Sequence, residues 1–425
     1  MFKEIDSSLN FPVLEHRILK FWKETDAFGK RRTLNKERPH WSFIDGPITA
    51  NNPMGVHHAW GRTYKDLFQR FEAMRGFDLR YQNGFDCQGL WVEVEVEKEL
   101  GFKSKKDIEA HGIAEFIKRC KQRVLRYAAV QTEQSVRLGY WMDWDDPEKL
   151  RMLADKLEEP ARVITFQGPH GTVTDTVEAI VGKLGSSALG GSYYTFSDEN
   201  NYMIWFFLKK CHEQGLVYRG RDSMPWCPRC STALSQHEIV TEGYREVTHP
   251  SLTVKFPLRA QSEESLLIWT TTPWTLLANV AVAVHPNLIY VKVERGDEIF
   301  YMAKGTLPRV FPDGKYWVLS EGKGAEMDGW TYDGPFDDLP TEQELGAVTA
   351  HRVILWEDVS EEEGTGLVHI APGCGKEDFE LGKKYRLPAV VPLDEFGVFV
   401  DGFGWLTGTH VYDSAQGIME DLKKK

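Results

Sequence analysis

The sequence predicts an α/β fold in which a Rossmann-like nucleotide-binding domain carries an inserted β-rich domain. The chain has 425 residues, which is more than one ordinary hydrophobic core needs. Its first part alternates strand, loop, helix and strand, the order of a parallel nucleotide-binding sheet. From about Glu246 the pattern changes to short β segments separated by Gly and Pro turns. We therefore expect at least two domains with different secondary structure.

Hydrophobic periodicity and turn residues predict the first elements. Residues 12–29 place apolar side chains at helical spacing, and residues 41–44 form a short apolar strand. A loop rich in Asn and Pro leads into a predicted helix at 57–76. Residues 79–86 predict a second strand and turn, and residues 107–138 predict one long helix.

The segment 147–191 is interpreted as a separate insertion. It contains a charged helix at 148–159, a strand at 162–166 and a second helix near 175–184. Without it, the flanking residues would join with no break in the pattern. After it, a helix at 200–215 and a strand-like stretch at 216–218 return to the first domain.

The β-rich region is built from short runs of β-branched and apolar residues. These runs are residues 252–256, 266–271, 281–284, 288–293 and 353–356. The resulting domain boundaries are 1–146 for the first catalytic part, 147–191 for the insertion, 192–245 for the catalytic continuation, 246–415 for the β-rich domain and 416–425 for a return toward the catalytic domain.

Charge and composition limit the classes of function. The net charge of −12 argues against a nucleic-acid footprint spread over the whole surface, although a local groove for the end of an RNA remains possible. No segment approaches 18 uninterrupted apolar residues, so no membrane span is predicted. Six scattered cysteines do not suggest a disulfide framework, and we expect a cytoplasmic protein.

The loop before the predicted helix at 57–76 has three features that suit phosphate binding. Gly55 allows close approach of backbone to a ligand, and His57 and His58 offer hydrogen-bond donors. The helix that follows directs its partially positive N-terminus into the same space. Two adjacent histidines alone are more often surface or core residues than catalytic ones.

The run Asp45–Ala59 resembles the ATP-binding signature of the class I aminoacyl-tRNA synthetases, His-x-Gly-His in the isoleucine, valine and leucine subgroup. Here Gly55 and His57 exchange the first and third positions, while His58 matches the fourth. The resemblance implies a class I Rossmann-like fold. It also implies that His57 and His58 stabilise the transition-state phosphates and that Gly55 and Asn51 help to bind ATP.

The run Asn83–Glu93 resembles the Gly-Trp-Asp-x-His-Gly-Leu-Pro segment of the same subgroup. In that family the Asp binds the ammonium group of the amino acid, so the resemblance assigns this role to Asp86. Pro47 and Gln88 are the further substrate-binding candidates, although Gln88 departs from the usual His. The structural alternative is an Asp that only caps a turn.

Two segments of the β-rich domain resemble the hydrolytic editing site of these synthetases. Ile268–Leu276 offers consecutive threonine hydroxyls, and Gly364–Phe379 contains a His followed nine positions later by an Asp. The Thr-Thr-Thr-Pro-Trp-Thr sequence is typical of the isoleucine enzymes. The implied editing residues are Thr270, Thr271, Thr272, His369 and Asp378.

Cys227 and Cys230 form a Cys-x-x-Cys pair, which supplies only two of the four ligands of a tetrahedral zinc. Cys211, His212 and His237 stand at no convincing spacing to complete it, and two buried free thiols are the alternative. The family often places a second such pair after the editing insertion. The resemblance therefore implies half of a zinc site.

The resemblance implies an ATP-dependent ligase that attaches isoleucine to tRNA(Ile) and hydrolyses mischarged Val-tRNA(Ile). Its expected partners are ATP with Mg²⁺, isoleucine and the acceptor end of tRNA(Ile), and the full-length protein is expected to be a monomer. No Lys-Met-Ser-Lys-Ser loop is present, so we expect an N-terminal fragment that is inactive in amino acid activation. Truncation, an incomplete gene and a split enzyme all remain open as its origin.

Two alternatives belong to other classes of protein. One is a free-standing trans-editing or tRNA-binding protein without synthetase activity. The other is a structural metal-binding module built on the Cys-x-x-Cys pair. The intact Gly55–His58 and Asp86 segments weigh against the first alternative, because a vestigial module does not need them, and the metal-binding module has weaker support still.

Overall fold

The computed structural model describes residues 8–43, 45–240 and 246–425. The chain divides into two compact units, Met1–Arg219 (unit 1) and Gly220–Lys425 (unit 2). The finer boundaries predicted at 146/147, 191/192 and 415/416 stay predictions. Residues 241–245 of the third predicted segment and Ile44 of the first predicted strand lie outside the described residues.

Unit 1 is mainly helical around short parallel strands. Its helices α1 to α9 are Phe11–Thr25, Ala27–Asn35, Val56–Met74, Leu90–Leu100, Lys105–His111, Ile113–Arg137, Pro147–Lys156, Val177–Gly182 and Asp198–Glu213. Its strands β1 to β7 are His40–Trp41, Ile48–Thr49, Asp78–Leu79, Gly84–Asp86, Val163–Gln167, Thr172–Thr176 and Tyr193–Tyr194. The predicted helices at 57–76 and 200–215 are confirmed, whereas the helix predicted at 12–29 is divided into α1 and α2 at Asp26, whose φ is 48°.

Three parallel strands form the sheet that positions the first candidate site. The order is β2-β4-β7, with Ile48 opposite Phe85 and Phe85 opposite Tyr194. Phe85 and Tyr194 are completely buried, and the centroids of their rings lie 5.3 Å apart. Because all three strands run the same way, their carboxyl ends meet at one edge of the sheet.

The long helix predicted at 107–138 is wrong, because the structure has two helices, α5 and α6, in its place. Gly112 separates them with a φ of 102°, a conformation that ends a helix and that glycine adopts readily. The strand predicted at 216–218 is also wrong, since these residues are exposed and form no strand.

The segment 147–191 shares its core with the rest of unit 1. Leu150, Leu153 and Ile180 are completely buried in the same apolar cluster as Leu125 and Tyr194. The strands β5 and β6 form a hairpin that extends from this packed base. The segment is therefore built into the interior of the unit, and it is not a separately packed body.

Unit 2 is mainly β structure. Its strands β8 to β17 are Trp226–Cys227, Thr232–Ala233, Leu252–Leu258, Gln261–Thr270, Ala281–Val284, Ile289–Arg295, Glu298–Ala303, Trp317–Lys323, Arg352–Leu355 and Val368–Ile370. Its α-helices α10 to α15 are Gln236–Val240, Leu307–Val310, Pro340–Glu344, Ala347–Ala350, Lys376–Tyr385 and Ala415–Leu422. Short 3-10 helices occupy Pro273–Ala278, Lys304–Thr306, Gly324–Met327, Gly404–Leu406 and Val411–Asp413.

Two sheets in unit 2 enclose a common core and confirm the five predicted β segments. One sheet has the order β10-β11-β14-β13-β15, and the other has the order β16-β12-β17. Phe256, Ile268, Val282 and Val291 are completely buried between them. In the part of the chain that the structure describes, no helix is long and apolar enough to cross a bilayer.

The packing of segment 147–191 predicts that Leu153→Ala lowers the free energy of unfolding of unit 1 by about 2–5 kcal/mol, because it leaves a cavity in the shared core. Urea titration read out by hydrogen exchange in peptides around Phe85 measures the change. Val163→Ala is the control, since Val163 lies on the hairpin with 63% of its side chain exposed. Its effect should stay within about 0.5 kcal/mol. Equal effects of the two substitutions would contradict a shared core.

Candidate functional site

The carboxyl end of β4 carries a carboxylate held by both neighbouring strands. Thr49 Oγ1 donates to Asp86 Oδ2 at 3.2 Å, and Thr195 Oγ1 donates to Asp86 Oδ1 at 3.3 Å. The Ala50 N–H donates to the Asp86 carbonyl at 2.8 Å, so the backbone is fixed as well. Asp86 is half-buried, which leaves its carboxylate partly open to a ligand.

The two other substrate candidates lie on either side of this carboxylate in the chain. Pro47 is half-buried immediately before β2, and Gln88 is exposed two residues after Asp86. Gln88 lines a cavity of about 530 Å³ whose wall is mainly apolar and includes Val92 and Phe116. Asp86 and Gln88 therefore lie at and beyond the carboxyl end of β4, whereas Pro47 lies at the amino end of β2, the opposite edge of this short parallel sheet.

The exchanged signature residues form one compact cluster at the start of α3. Gly55 caps this helix, and its N–H donates to His58 Nδ1 at 3.2 Å. The His57 and His58 rings lie 3.8 Å apart, centroid to centroid. A Cβ atom added to Gly55 would lie 3.0 Å from His57 Cε1, although its φ of −79° is open to any residue. The backbone angle therefore tolerates a side chain at position 55, and the exposed His57 ring would have to move by a few tenths of an ångström to admit one.

The hydrogen bond from Gly55 identifies the tautomer of neutral His58. Nδ1 accepts, so Nε2 carries the proton and can donate to a ligand. Burial lowers the pKa of His58, and the positive charges of His57 and Arg62 lower it further. Arg62 stands one turn later on α3, is almost completely buried and donates to Asn83 Oδ1 at 2.6 Å.

The side chain of Asn51 links the signature loop to the helix after Asp86. Its Nδ2 donates at 2.8 Å to the carbonyl of Trp91, which lies in the first turn of α4. Asn51 is half-buried, and this hydrogen bond uses one of the two N–H donors of its amide group. The residue thus orients the loop against α4, and any contact with a nucleotide would use its remaining groups.

In unit 2, a chain of hydroxyl groups connects the threonine segment to His369. Thr270 Oγ1 accepts from the Thr272 N–H at 3.0 Å, and the Thr272 and Thr275 hydroxyls lie 3.3 Å apart. Thr275 Oγ1 lies 3.0 Å from His369 Nε2. Thr271 is exposed at the end of β11. The threonines and the histidine predicted for one pocket are therefore brought together through Thr275.

The contacts of Thr275 also identify the tautomer of His369. The Thr275 hydroxyl donates to the Thr272 carbonyl at 2.8 Å, so it accepts from His369 Nε2–H. Nδ1 is then the unprotonated nitrogen, and it is buried with no hydrogen-bond partner among the described residues. Burial lowers the pKa of His369 to about 4, so the ring is neutral at physiological pH. A neutral imidazole with one free lone pair can accept a proton or a hydrogen bond.

Asp378 stands in the first turn of α14, and its carboxylate has a structural contact. Asp378 Oδ2 accepts from the Ala371 N–H at 2.8 Å, next to the end of the strand that carries His369. Burial raises the pKa of Asp378, the Ala371 N–H lowers it, and the neighbouring Glu377 charge raises it. An alanine at this position would leave the Ala371 N–H without its acceptor.

The Cys227 and Cys230 pair forms a knuckle around the turn after β8. The Cys230 N–H donates to Cys227 Sγ at 3.4 Å, and burial raises the pKa of Cys230. Among the described residues, no three His, Cys, Asp or Glu side chains are arranged to hold a metal ion. The side chain of His237, a possible third ligand, lies outside the described residues. Two thiols alone do not fit a structural zinc.

The sequence did not assign roles to three of these residues. Thr195 donates to Asp86 from the end of β7, Thr275 lies at hydrogen-bond distance from His369, and the charge of Arg62 lowers the pKa of His58. A signal existed for Thr275, because it closes the threonine motif. Thr195 could be found only from the rule that neighbouring parallel strands end at one edge of the sheet.

The sequence matches the model of the family described as tRNA synthetases class I (I, L, M and V) over residues 17–167 and 170–319. The isoleucine–tRNA ligase of Streptomyces coelicolor is 35% identical over 427 residues, covering 100% of this chain and 36% of the relative. That of Pyrococcus horikoshii is 39% identical over 422 residues, covering 97% and 35%. The chain thus spans about a third of the length of these relatives.

A solved structure of the editing domain of the cytosolic leucyl-tRNA synthetase of P. knowlesi is also similar. Its TM-score is 0.26 and its sequence identity is 11%, over 32% of this chain and 64% of that one.

The buried imidazole predicts a pH-dependent contribution to stability. His369 is expected to stay in the Nε2–H form down to about pH 4, measured by ¹⁵N NMR of the ring. The folded pKa lies below the unfolded value of about 6.5, so acid favours the unfolded state. The contribution is therefore complete above about pH 6.5 and is lost as the pH falls toward 4. His369→Gln should remove this part of the pH dependence, and an unchanged profile would contradict it.

Proposed function

The chain belongs to the class I tRNA synthetases of the isoleucine, leucine, methionine and valine group, and on that premise we propose that it supplies two sites of an isoleucine–tRNA ligase. The first site binds isoleucine and ATP with Mg²⁺, and the second hydrolyses Val-tRNA(Ile). The observation that carries the proposal is the presence in one chain of both the hydroxyl-held Asp86 and the neutral His369 joined to the threonine segment.

The first site is proposed to bind the amino acid through its ammonium group. A fixed carboxylate opposite an ammonium group makes a charge-assisted hydrogen bond, which is stronger than a neutral one. Asp86 suits this role because Thr49 and Thr195 orient both of its oxygens, and its half-burial leaves it accessible. A free-standing editing or tRNA-binding protein would have no use for such a carboxylate.

The phosphates of ATP are proposed to lie at the start of α3. The helix N-terminus provides partial positive charge there. Neutral His58 presents its Nε2–H as a donor, because its Nδ1 is occupied by Gly55. His57 stands beside it as a second ring, in the position that the usual signature gives to glycine. Both histidines are proposed to contact the transition state, with Gly55 leaving room for them.

The second site compensates for the limited selectivity of the first site between isoleucine and valine. One methylene group contributes only about 1–3 kcal/mol of discrimination in an apolar pocket, and isoleucine against valine is the recognised case. A second, hydrolytic site can remove the wrong product. We propose that Asp378 binds the ammonium of the misattached valine and that the threonine hydroxyls position the terminal adenosine and a water molecule. His369 would orient this network through Thr275.

The same proposal extends to the macromolecular partner, the oligomeric state, the cellular compartment and a metal site. The partner is the acceptor end of tRNA(Ile), and the full-length protein acts as a monomer. All six cysteines are free thiols, which suits the reducing cytoplasm. Cys227 and Cys230 are proposed as half of a zinc site, with no step of either reaction depending on the metal.

The editing proposal predicts that Asp378→Asn slows deacylation of Val-tRNA(Ile) by roughly 10- to 100-fold. A charge-assisted hydrogen bond contributes about 1.5–3 kcal/mol, and each 1.4 kcal/mol is a factor of ten. Asparagine still offers an oxygen to the Ala371 N–H, so the substitution removes charge with little loss of structure. The rate is measured on labelled Val-tRNA(Ile) with the 425-residue chain.

Glu377→Gln is the matched control, because Glu377 is the preceding residue in the same helical turn and is exposed. It removes a charge of the same sign and should leave the rate within about twofold. If Asp378→Asn deacylates as fast as the parent chain, or if both variants lose the same activity, Asp378 does not bind the ammonium group.

A further inference from the structure

The long helix α6 touches the signature loop with side chains that neither proposed site uses. Gln131 Nε2 donates to the Thr49 carbonyl at 3.0 Å and to the Asn52 carbonyl at 2.8 Å. Gln134 Oε1 accepts from the Met54 N–H at 2.8 Å. Gln131 is almost completely buried, with 1% of its side chain exposed. Its one amide group thus holds two carbonyls that lie on either side of Asn51.

Arg123 continues the same set of contacts two turns earlier on the helix. Its NH2 donates to the Asn51 carbonyl at 2.7 Å and to Asn52 Oδ1 at 3.2 Å. The same guanidinium forms ion pairs with Glu95 and Glu99 of α4. It also lies over the Tyr127 ring, 4.6 Å from the centroid. The loop is thereby tied to both α6 and α4.

These side chains form one stripe along α6. Arg123, Gln131 and Gln134 are separated by eight and three residues, and such spacing places them on the same side of an α-helix. Between them they bind the backbone of Thr49, Asn51, Asn52 and Met54, which covers most of the loop that leads to Gly55. A loop rich in Asn and Pro has no regular hydrogen bonds of its own, so its path depends on such contacts.

We propose that this stripe of α6 positions the nucleotide-binding loop, with Gln131 as its main positioning residue. The loop path decides where Gly55 begins α3 and therefore where the His58 Nε2–H faces the phosphates of MgATP. This inference rests on the proposed function of the loop. It adds that nucleotide affinity is set by a helix that makes no contact with the nucleotide.

The same helix provides a matched control for a purely structural role. Gln122 is also on α6, is 2% exposed and donates through Nε2 to the Ala154 carbonyl at 3.1 Å and to Glu158 Oε1 at 2.9 Å. It faces α7 and not the loop. Gln131→Glu and Gln122→Glu each replace a buried amide donor by a carboxyl group of the same shape, so both are expected to lower the melting temperature. Gln122→Glu also places a carboxyl group beside that of Glu158, which adds to its loss of stability.

The test is the dissociation constant of MgATP, measured by calorimetry on the 425-residue chain and its variants. Gln131→Glu should weaken binding by about tenfold or more, because two carbonyls lose their donor. Gln122→Glu should leave binding within about twofold despite a similar loss of thermal stability. Equal affinities for the two variants would overturn the proposal.

A milder variant and a second measurement keep the proposal testable if Gln131→Glu does not fold or if the chain binds no MgATP. Gln134→Met removes the acceptor of the half-exposed Gln134 and should weaken MgATP even if Gln131→Glu does not fold. If the unmutated chain binds no MgATP, the proposed function of the loop fails. Hydrogen exchange of residues 50–55 then decides the positioning role. Faster exchange in the Gln131 or Gln134 variant than in Gln122→Glu supports it, and equal exchange overturns it.

Discussion

The burial of one three-residue strand, Gly84–Asp86, fixes the position of the Asp86 carboxylate in unit 1. A Cβ atom on Gly84 would lie 2.4 Å from the Tyr193 ring, so only glycine fits there, and its N–H donates to Asp45 at 2.9 Å. Phe85 is then held in the core, which leaves the Asp86 side chain as the first group free to face outward. The neighbouring strands β2 and β7 end beside Asp86, and the hydroxyl groups of Thr49 and Thr195 donate hydrogen bonds to its carboxylate. The packing of this strand in the core thus fixes where the Asp86 carboxylate lies.

Unit 2 places its polar groups by a different route. There the hydroxyls of the threonine segment bind one another before they reach His369, so the network fixes a proton position and not a charge. Among the described residues of this network, the buried His369 Nδ1 is the atom without a hydrogen-bond partner. Buried polar groups without partners are costly, and they are found where a ligand or a water can bind. Unit 1 therefore presents a carboxylate held by hydroxyl groups, whereas unit 2 presents a neutral imidazole in addition to the Asp378 carboxylate.

Strong local patterns were readable from the sequence, and distant contacts were not. The helix at 57–76 and the five β segments follow from periodicity, and the motifs around Asp86 and His369 identified the candidate residues. The break at Gly112 was missed because one glycine inside a helical pattern is often tolerated. The alternating Val and Glu residues of 92–96 are typical of a strand, yet they lie in α4, because Val92 and Val96 pack into the core.

Segment 147–191 shows the same limit more clearly. Its apolar residues pack against Leu125 and Tyr194, which lie outside the segment on either side, and no pattern within the segment showed that it shares their core. Likewise the partners of Gln131 are backbone carbonyls about 80 residues earlier. Such pairs carry no sequence signal of their own. The family resemblance named the residues that face a substrate, whereas the residues that hold them needed coordinates.

The contact between Gly55 and the His57 ring constrains how this signature can evolve. A Cβ atom at position 55 would lie 3.0 Å from the exposed His57 ring, so a side chain there requires the ring to move. The effect of a substitution at either position therefore depends on the residue at the other. The order of the two residues should accordingly be inherited as a linked pair.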